Sequence, residues 1–266
     1  MKAFASDLDR TLIYSQRMIN SFPFDKDFHL IETLDGREIS FISSDTKENI
    51  KRITKSAYFI PVTTRTIEQY HRITLFQDEI KPEYAVTHNG ALIIKDGKPL
   101  EEWTLLVKEK LQSYMSIDDM LKQVQKLNVQ KLVKRIRKAD QFFFYFILNK
   151  DGINQLDFLA LKDWLKNYGW QTSLQGRKLY FIPNPINKWS AIDFLREKLS
   201  LNEVYAAGDS LLDCDLIAKA NYGLSPKHGE VLEHFPTIES TTSVGMKASE
   251  EITEVILKKL INHPVN

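Results

Sequence analysis

The chain has 266 residues, 43% hydrophobic and 27% charged, with 36 Lys plus Arg against 35 Asp plus Glu. That length accommodates one large domain or a core carrying a smaller one, and a formal charge of +1 argues against general affinity for nucleic acid or membrane surfaces. A single cysteine, Cys214, excludes an intramolecular disulfide and fits a reducing compartment.

Two aspartates arrive at the N-terminus before any apolar segment of signal-peptide length. The longest apolar run, Phe142 to Leu148, falls far short of the roughly 18 residues of a membrane span. A cytoplasmic, soluble protein is expected. Residues 2–6 read as a buried strand, and 29–42 as two strands around Asp35-Gly36, a hairpin signal. Residues 44–57 read as a helix with Asp45 and Glu48 as its capping pair and Ile50, Ile53 and Ala57 on one face. A strand at 58–62, a helix from 64 and a strand at 84–88 ending in Asn89-Gly90 follow.

From about Ala91 the pattern changes. A hairpin at Asp96-Gly97 leads to a helical stretch over about 106–127, then adjacent strands at 131–140 and 141–150. A helix over 154–169, with Leu161, Trp164, Leu165 and Tyr168 on one stripe and Gly169 as its stop, precedes strands at 170–174 and 178–182. Helix–strand–strand, twice, suits a helix-covered antiparallel sheet. Pro183 and Pro185 read as a boundary, after which a helix at 188–201, a strand at 203–207 and helices at 211–220 and 249–261 resume the first pattern. The whole predicts an α/β fold: a Rossmann-like parallel-sheet core, 1–90 and 184–266, interrupted by a smaller α+β domain at 91–183.

Ligands of open parallel sheets sit beyond the carboxyl ends of the strands. The first strand ends at Asp7 and Asp9, the second at Thr63, Thr64 and Arg65, and the strand at 203–207 at Asp209, with Asp213 four residues on; Lys188 opens the helix that leads there. Two carboxylates as close as Asp7 and Asp9 repel, unless a hard cation such as Mg2+ makes the crowding useful. An ionised Asp can attack phosphorus, a second carboxyl can protonate the leaving oxygen and later activate water, and a hydroxyl and an ammonium can hold the phosphoryl oxygens.

"DLDRTL", Thr63, Lys188 and "GDSLLD" resemble, in order, the four motifs of the haloacid dehalogenase-like phosphohydrolases, over residues 7 to 213. The resemblance implies Asp7 as nucleophile, Asp9 as general acid/base, and Thr63 and Lys188 as phosphate ligands. It implies Mg2+ held by Asp7, Asp209 and the Asp9 carbonyl, with Asp213 in support. The insert takes the place of a cap domain, and "PVTTRT" and "HNGA" most resemble the sucrose-phosphate and mannosyl-3-phosphoglycerate phosphatases. Thr64, Arg65 and Asn89 are then expected substrate contacts. Arg10 and Thr64 depart from the glycines common there, and Leu212 from a common asparagine.

Taken singly, these residues have plainer readings. Thr63 reads equally as a helix N-cap, Lys188 as a solvated first-turn lysine, Asp213 as a first-turn acid and Asn89 as a turn residue. The basic run 131–138 reads as a solvated sheet face or as an attraction for a phosphorylated sugar; His88, His228 and Cys214 read as packing. The function expected is a Mg2+-dependent phosphatase of a small phosphorylated molecule, a sugar or polyol phosphate, with no nucleic-acid or membrane partner. A phosphomutase is the alternative of like chemistry. A phospho-accepting receiver domain is too short and capless, and a non-catalytic binder would have no reason to keep every motif.

Overall fold

The computed structural model describes residues 1–262, so the last four residues of the expected core segment lie outside the description. The chain opens with β1 (Lys2–Ser6), α1 (Gln16–Ser21), β2 (Phe28–Leu34), β3 (Arg37–Ser43), α2 (Ser44–Ile53) and β4 (Tyr58–Pro61). It continues with α3 (Ile67–His71), β5 (Tyr84–Thr87), β6 (Leu92–Lys95), β7 (Lys98–Pro99), α4 (Glu101–Leu111) and α5 (Ile117–Gln125). Then come β8 (Val133–Ala139), β9 (Phe143–Leu148), α6 (Phe158–Lys166), β10 (Trp170–Gln175) and β11 (Lys178–Pro183). It ends with α7 (Lys188–Lys198), β12 (Glu203–Ala207), α8 (Cys214–Lys219), β13 (Tyr222–Leu224), α9 (Val231–His234) and α10 (Gly245–Asn262). Among the described residues no helix is long and apolar enough to cross a membrane.

Two compact units result: Met1–Leu100 with the chain from Lys188 onward, and Glu101–Asn187. The first holds a parallel sheet in the order β13-β12-β1-β4. A lone parallel bridge, Val62 to Val86, brings β5 beside the end of β4, and β5-β6-β7 form an antiparallel ribbon. Residues 91–100, read from sequence as part of the insert, therefore continue the first unit. The chain leaves β1 toward β4 and later returns to its other side at β12. That reversal between β1 and β12 is where an open α/β sheet leaves a crevice at the strand ends.

β1 is buried along its whole length, as the small and apolar residues that follow Lys2 predict. Phe4 and Tyr205, in register across β1 and β12, join Ile50 and Ile53 of α2 and Ile252, Ile256 and Leu260 of α10 in one apolar cluster. Each such side chain contributes roughly 1.5–3 kcal/mol by leaving water. The capping of α2 differs from expectation: Ser43, not Asp45, accepts the Thr46 N–H. Thr66, not Thr63, caps α3, through a reciprocal pair with Gln69.

The second unit is a four-stranded antiparallel sheet, β10-β11-β9-β8. Phe144, Phe146, Leu148, Trp170, Leu179 and Phe181 pack with Met120 and Val124 of α5 and Leu161 and Leu165 of α6. The expected helix over 106–127 is two helices, because Ser116 caps α5 by accepting the Asp119 N–H and so breaks the run. The fold is thus a Rossmann-like core with a separate, smaller α+β domain.

Candidate active site

The ladder of β1 runs one residue past its end, the Asp7 N–H donating to the Ala207 carbonyl at 2.9 Å. The chain then folds back at once. The Leu8 carbonyl accepts from the N–H groups of Thr11, Leu12 and Ile13 at 3.2, 2.9 and 2.9 Å. Leu8, Leu12 and Ile13 are fully buried and anchor this loop in the core. Arg10 makes the reversal at φ 68°, a left-handed conformation that costs a residue with a Cβ roughly 1–2 kcal/mol. His228 holds it there. Its Nδ1 accepts the Gly245 N–H at 3.2 Å, so Nε2 carries the proton and donates to the Arg10 carbonyl at 2.9 Å.

Lys188, the first residue of α7, is buried and stands between two carboxylates. Its Nζ lies 2.5 Å from Asp7 Oδ1 and 2.5 Å from Asp213 Oδ1. Asp213 keeps its other oxygen on the Ser210 N–H and hydroxyl, at 2.9 and 2.8 Å. Asp7 Oδ2 accepts a longer bond, 3.3 Å, from the Thr11 hydroxyl. Burial pushes the Asp7 carboxyl up to about 7, with Lys188 opposing and Asp213 reinforcing. Burial also drives Asp209 well above the carboxylate range, reinforced by the Asp7 charge. For Lys188 burial would lower the pKa, but Asp213 and Asp7 more than offset it and hold the ammonium charged.

Asp7, Asp209 and Asp213 each offer one carboxylate oxygen, all within 4.8 Å of one another. Asp209 Oδ2 is buried without a hydrogen bond, with the Arg10 Nε in an ion pair at 3.2 Å. An all-oxygen, acidic donor set with an unsatisfied buried oxygen fits a hard divalent cation such as Mg2+. The Asp9 carboxylate is outside this cluster.

Asp9 faces Arg65 instead. Arg65 Nε and Nη2 meet the two Asp9 oxygens at 2.7 and 2.8 Å, a bidentate fork, and Nη1 meets Glu32 Oε2 at 2.7 Å. The Arg65 guanidinium, an expected substrate contact, is thus engaged by two carboxylates. Thr63 is buried, and its Oγ1 accepts the Arg65 N–H at 3.1 Å, as a turn rather than as a helix cap. Thr64 beside it is half-buried.

The loop after β5 is strained and pinned. His88 and Asn89 are both left-handed, at φ 52° and 56°. Asn and His are both among the residues that enter that region more readily than most. The His88 N–H donates to the Arg65 carbonyl at 2.8 Å and the Asn89 N–H to the Thr63 carbonyl at 2.9 Å, tying this loop to the end of β4. Both side chains are buried.

The structure thus joins Asp7, Lys188 and Asp213 with Asp209 close by, sets Thr63 and Asn89 on neighbouring loops, and turns Asp9 toward Arg65. Glu32, Ser40 and the Arg10–Asp209 pair escaped the sequence reading. Arg10 had one signal, its place where relatives carry glycine. Glu32 had none, since a lone acid in a strand reads as solvated.

A family model for sucrose-6F-phosphate phosphohydrolase matches residues 1–257. No curated protein sequence matches. Among solved structures, the sucrose-phosphatase of Synechocystis sp. PCC6803, in complex with sucrose and phosphate, is similar at a TM-score of 0.64 and 17% identity, over 98% of this chain and 96% of that one. The subclass IIB sugar phosphatase BT4131 of the haloacid dehalogenase superfamily has a TM-score of 0.64 at 11% identity, over 98% and 100% of the two chains. The haloacid dehalogenase-like hydrolase yhjK of Bacillus subtilis has 0.56 at 17%, over 98% and 92%. At such identities the solved structures speak for the fold, and the family model speaks for membership. The chain belongs to the sucrose-6F-phosphate phosphohydrolase family and is a haloacid dehalogenase-like phosphoric monoester hydrolase.

Proposed function

We propose that the protein is a Mg2+-dependent phosphatase that hydrolyses a small sugar or polyol phosphate through an aspartyl phosphate on Asp7. The observation that carries this reading is the Asp7 carboxylate, seated at the end of β1 against Lys188 and within reach of Asp209 and Asp213. Asp7 Oδ forms a bond to phosphorus as the bond to the leaving oxygen breaks. Asp9 gives that oxygen its proton. In the second step Asp9 takes a proton from a water that attacks the phosphorus, and the Asp7 carboxylate is regenerated with inorganic phosphate. Lys188, and the Thr63 hydroxyl once a substrate oxygen is there to accept from it, hold the phosphoryl oxygens as charge moves onto them. Asp7, Asp209 and the Asp9 carbonyl would hold Mg2+, with Asp213 supporting, and the ion would neutralise charge on the phosphoryl group.

The sugar class rests on the family, whose description names a sugar phosphate, and on the sucrose and phosphate in the Synechocystis relative. Glu101–Asn187 is assigned the role of the cap that selects the leaving group. The test is phosphate release from sugar phosphates, polyol phosphates and nucleotides, with Mg2+ and with chelator, for wild type and Asp7→Asn. Release that needs Mg2+ and vanishes in Asp7→Asn supports the reading, and retained activity in Asp7→Asn overturns the nucleophile. Isomerised sugar phosphate without inorganic phosphate would make the protein a mutase.

A further inference from the structure

We propose that Arg65 is a positioning residue for Asp9, and that the β2–β3 hairpin is the device that aims it. The inference rests on the phosphatase reading, in which Asp9 is the acid/base group. Half the Asp9 side chain is exposed, and the Arg65 fork grips both of its carboxylate oxygens. A bidentate guanidinium fixes the plane of a carboxylate as well as its place. Arg65 in turn is fixed from behind. Its Nη1 reaches Glu32, its Nη2 meets Ser40 Oγ at 3.1 Å, and that hydroxyl donates to Glu32 Oε2 at 2.8 Å. Arg72 Nε takes the remaining Glu32 oxygen at 3.1 Å.

The hairpin is shaped for this contact. Ile31 and Glu32 are neighbours in sequence and both are buried, in a strand otherwise exposed along its length, which regular alternation of one covered face does not give. The β2–β3 register shifts on either side of Glu32, and a bulge of that kind re-aims a side chain. A fully buried carboxylate is unfavourable unless paired, and Glu32 is paired twice over by arginine. The hairpin is also tied to the loop that carries Asp9: Tyr14 and Phe41 exchange two backbone hydrogen bonds at 2.9 and 2.8 Å. The chain from Glu32 through Arg65 to Asp9 therefore connects a surface hairpin to the group that handles the proton, and no member of it beyond Asp9 needs to touch substrate.

Leaving-group dependence separates this role from a structural or substrate-binding one. The value of kcat/KM reports phosphoryl transfer to Asp7, and a misplaced acid slows poor leaving groups most. The experiment compares p-nitrophenyl phosphate, with its good leaving group, to phenyl phosphate, for wild type, Arg65→Lys, Glu32→Gln, Asp9→Asn and the double variant Asp9→Asn/Arg65→Lys, with unfolding midpoints as the check on folding. Arg65→Lys is expected to lose roughly tenfold more on phenyl than on p-nitrophenyl phosphate, within the range one positioned acid contributes. Glu32→Gln should follow it in the same direction. Arg65→Lys should add nothing to Asp9→Asn, because it acts through that residue. Equal losses on both esters, or losses that multiply with Asp9→Asn, overturn the proposal while leaving the phosphatase reading intact. Failure of wild type to release phosphate from these esters and from sugar and polyol phosphates alike overturns both.

Discussion

Lys188 and Asp7 lie 181 residues apart in sequence and 2.5 Å apart in space, buried at the reversal between β1 and β12. The ammonium is shared between Asp7 and Asp213. Removing it by Lys188→Met leaves buried carboxylates facing one another. Breaking a buried pair this way costs about 3–5 kcal/mol. The expected result in chelator is a large drop in the urea midpoint, partly restored by Mg2+, and a loss of phosphatase activity of at least about a hundredfold. Equilibrium unfolding with and without Mg2+ checks the first part and kcat/KM the second.

Stability of the chelated protein should fall as pH rises. The Asp7 carboxyl is raised from 3.8 to about 7 by burial, against the pull of Lys188. An acid whose folded pKa exceeds its unfolded one stabilises the fold fully below the unfolded value, and that contribution is lost as pH rises through the folded value. Asp209, raised by burial and by the Asp7 charge, acts in the same direction. Between about pH 4 and 7 the loss from Asp7 is on the order of a few kcal/mol. Bound Mg2+ favours the ionised carboxylates, so the stabilisation it gives should be greater at pH 8 than at pH 5. Thermal unfolding at both pH values, with Mg2+ and with chelator, measures this; an increment independent of pH would contradict it.

Arg10 competes for the oxygen a cation would use. Its Nε lies 3.2 Å from Asp209 Oδ2, and its backbone is left-handed, a conformation glycine adopts freely. Arg10→Gly is expected to tighten Mn2+ or Mg2+ binding by about tenfold, a deliberately modest figure because the side chain is more than a third exposed. Titration calorimetry of the apoprotein reads the change directly. Unchanged affinity would mean that Arg10 swings clear of Asp209 without cost.

Gly208 is required by close approach. A Cβ there would lie 2.4 Å from the Asp213 Cβ and 2.5 Å from its Cγ. Gly208→Ala should destabilise by about 1–3 kcal/mol, as overpacking does, and should displace Asp213 from Lys188. Gly176→Ala, in an open turn where no atom lies within 4 Å of the added Cβ, provides the contrast: only the strain of φ 58° applies, and activity should be kept. Unfolding midpoints and kcat of the two variants decide it.

Much of this site was legible because buried strands announce their ends. β1 and β12 are short apolar runs, and the acids that follow them must stand at the carboxyl edge of the sheet. Lys188 was legible only through its order among the motifs, since a lysine opening a helix ordinarily faces water. Arg65 reads as a substrate contact because the sequence shows a cation at a strand end and hides its partners. Those partners, Glu32 and Ser40, enter by way of a bulge, and nothing in the alternation of a strand reveals where its register slips. Local competition explains the smaller differences. Ser43 stands just before α2 and accepts the Thr46 N–H, while Asp45 lies inside the first turn, and Ser116 starts a second helix where periodicity alone continues one.

The most direct test of the central claim is to catch the phosphoryl group on Asp7. A rapid acid quench of the Mg2+-loaded protein turning over p-nitrophenyl phosphate, followed by proteolysis and mass spectrometry, should show one phosphate on the peptide that contains Asp7, and none in Asp7→Asn. Phosphate release in wild type with no phosphorylated Asp7 peptide at any quench time, or the same release from Asp7→Asn, would contradict the account.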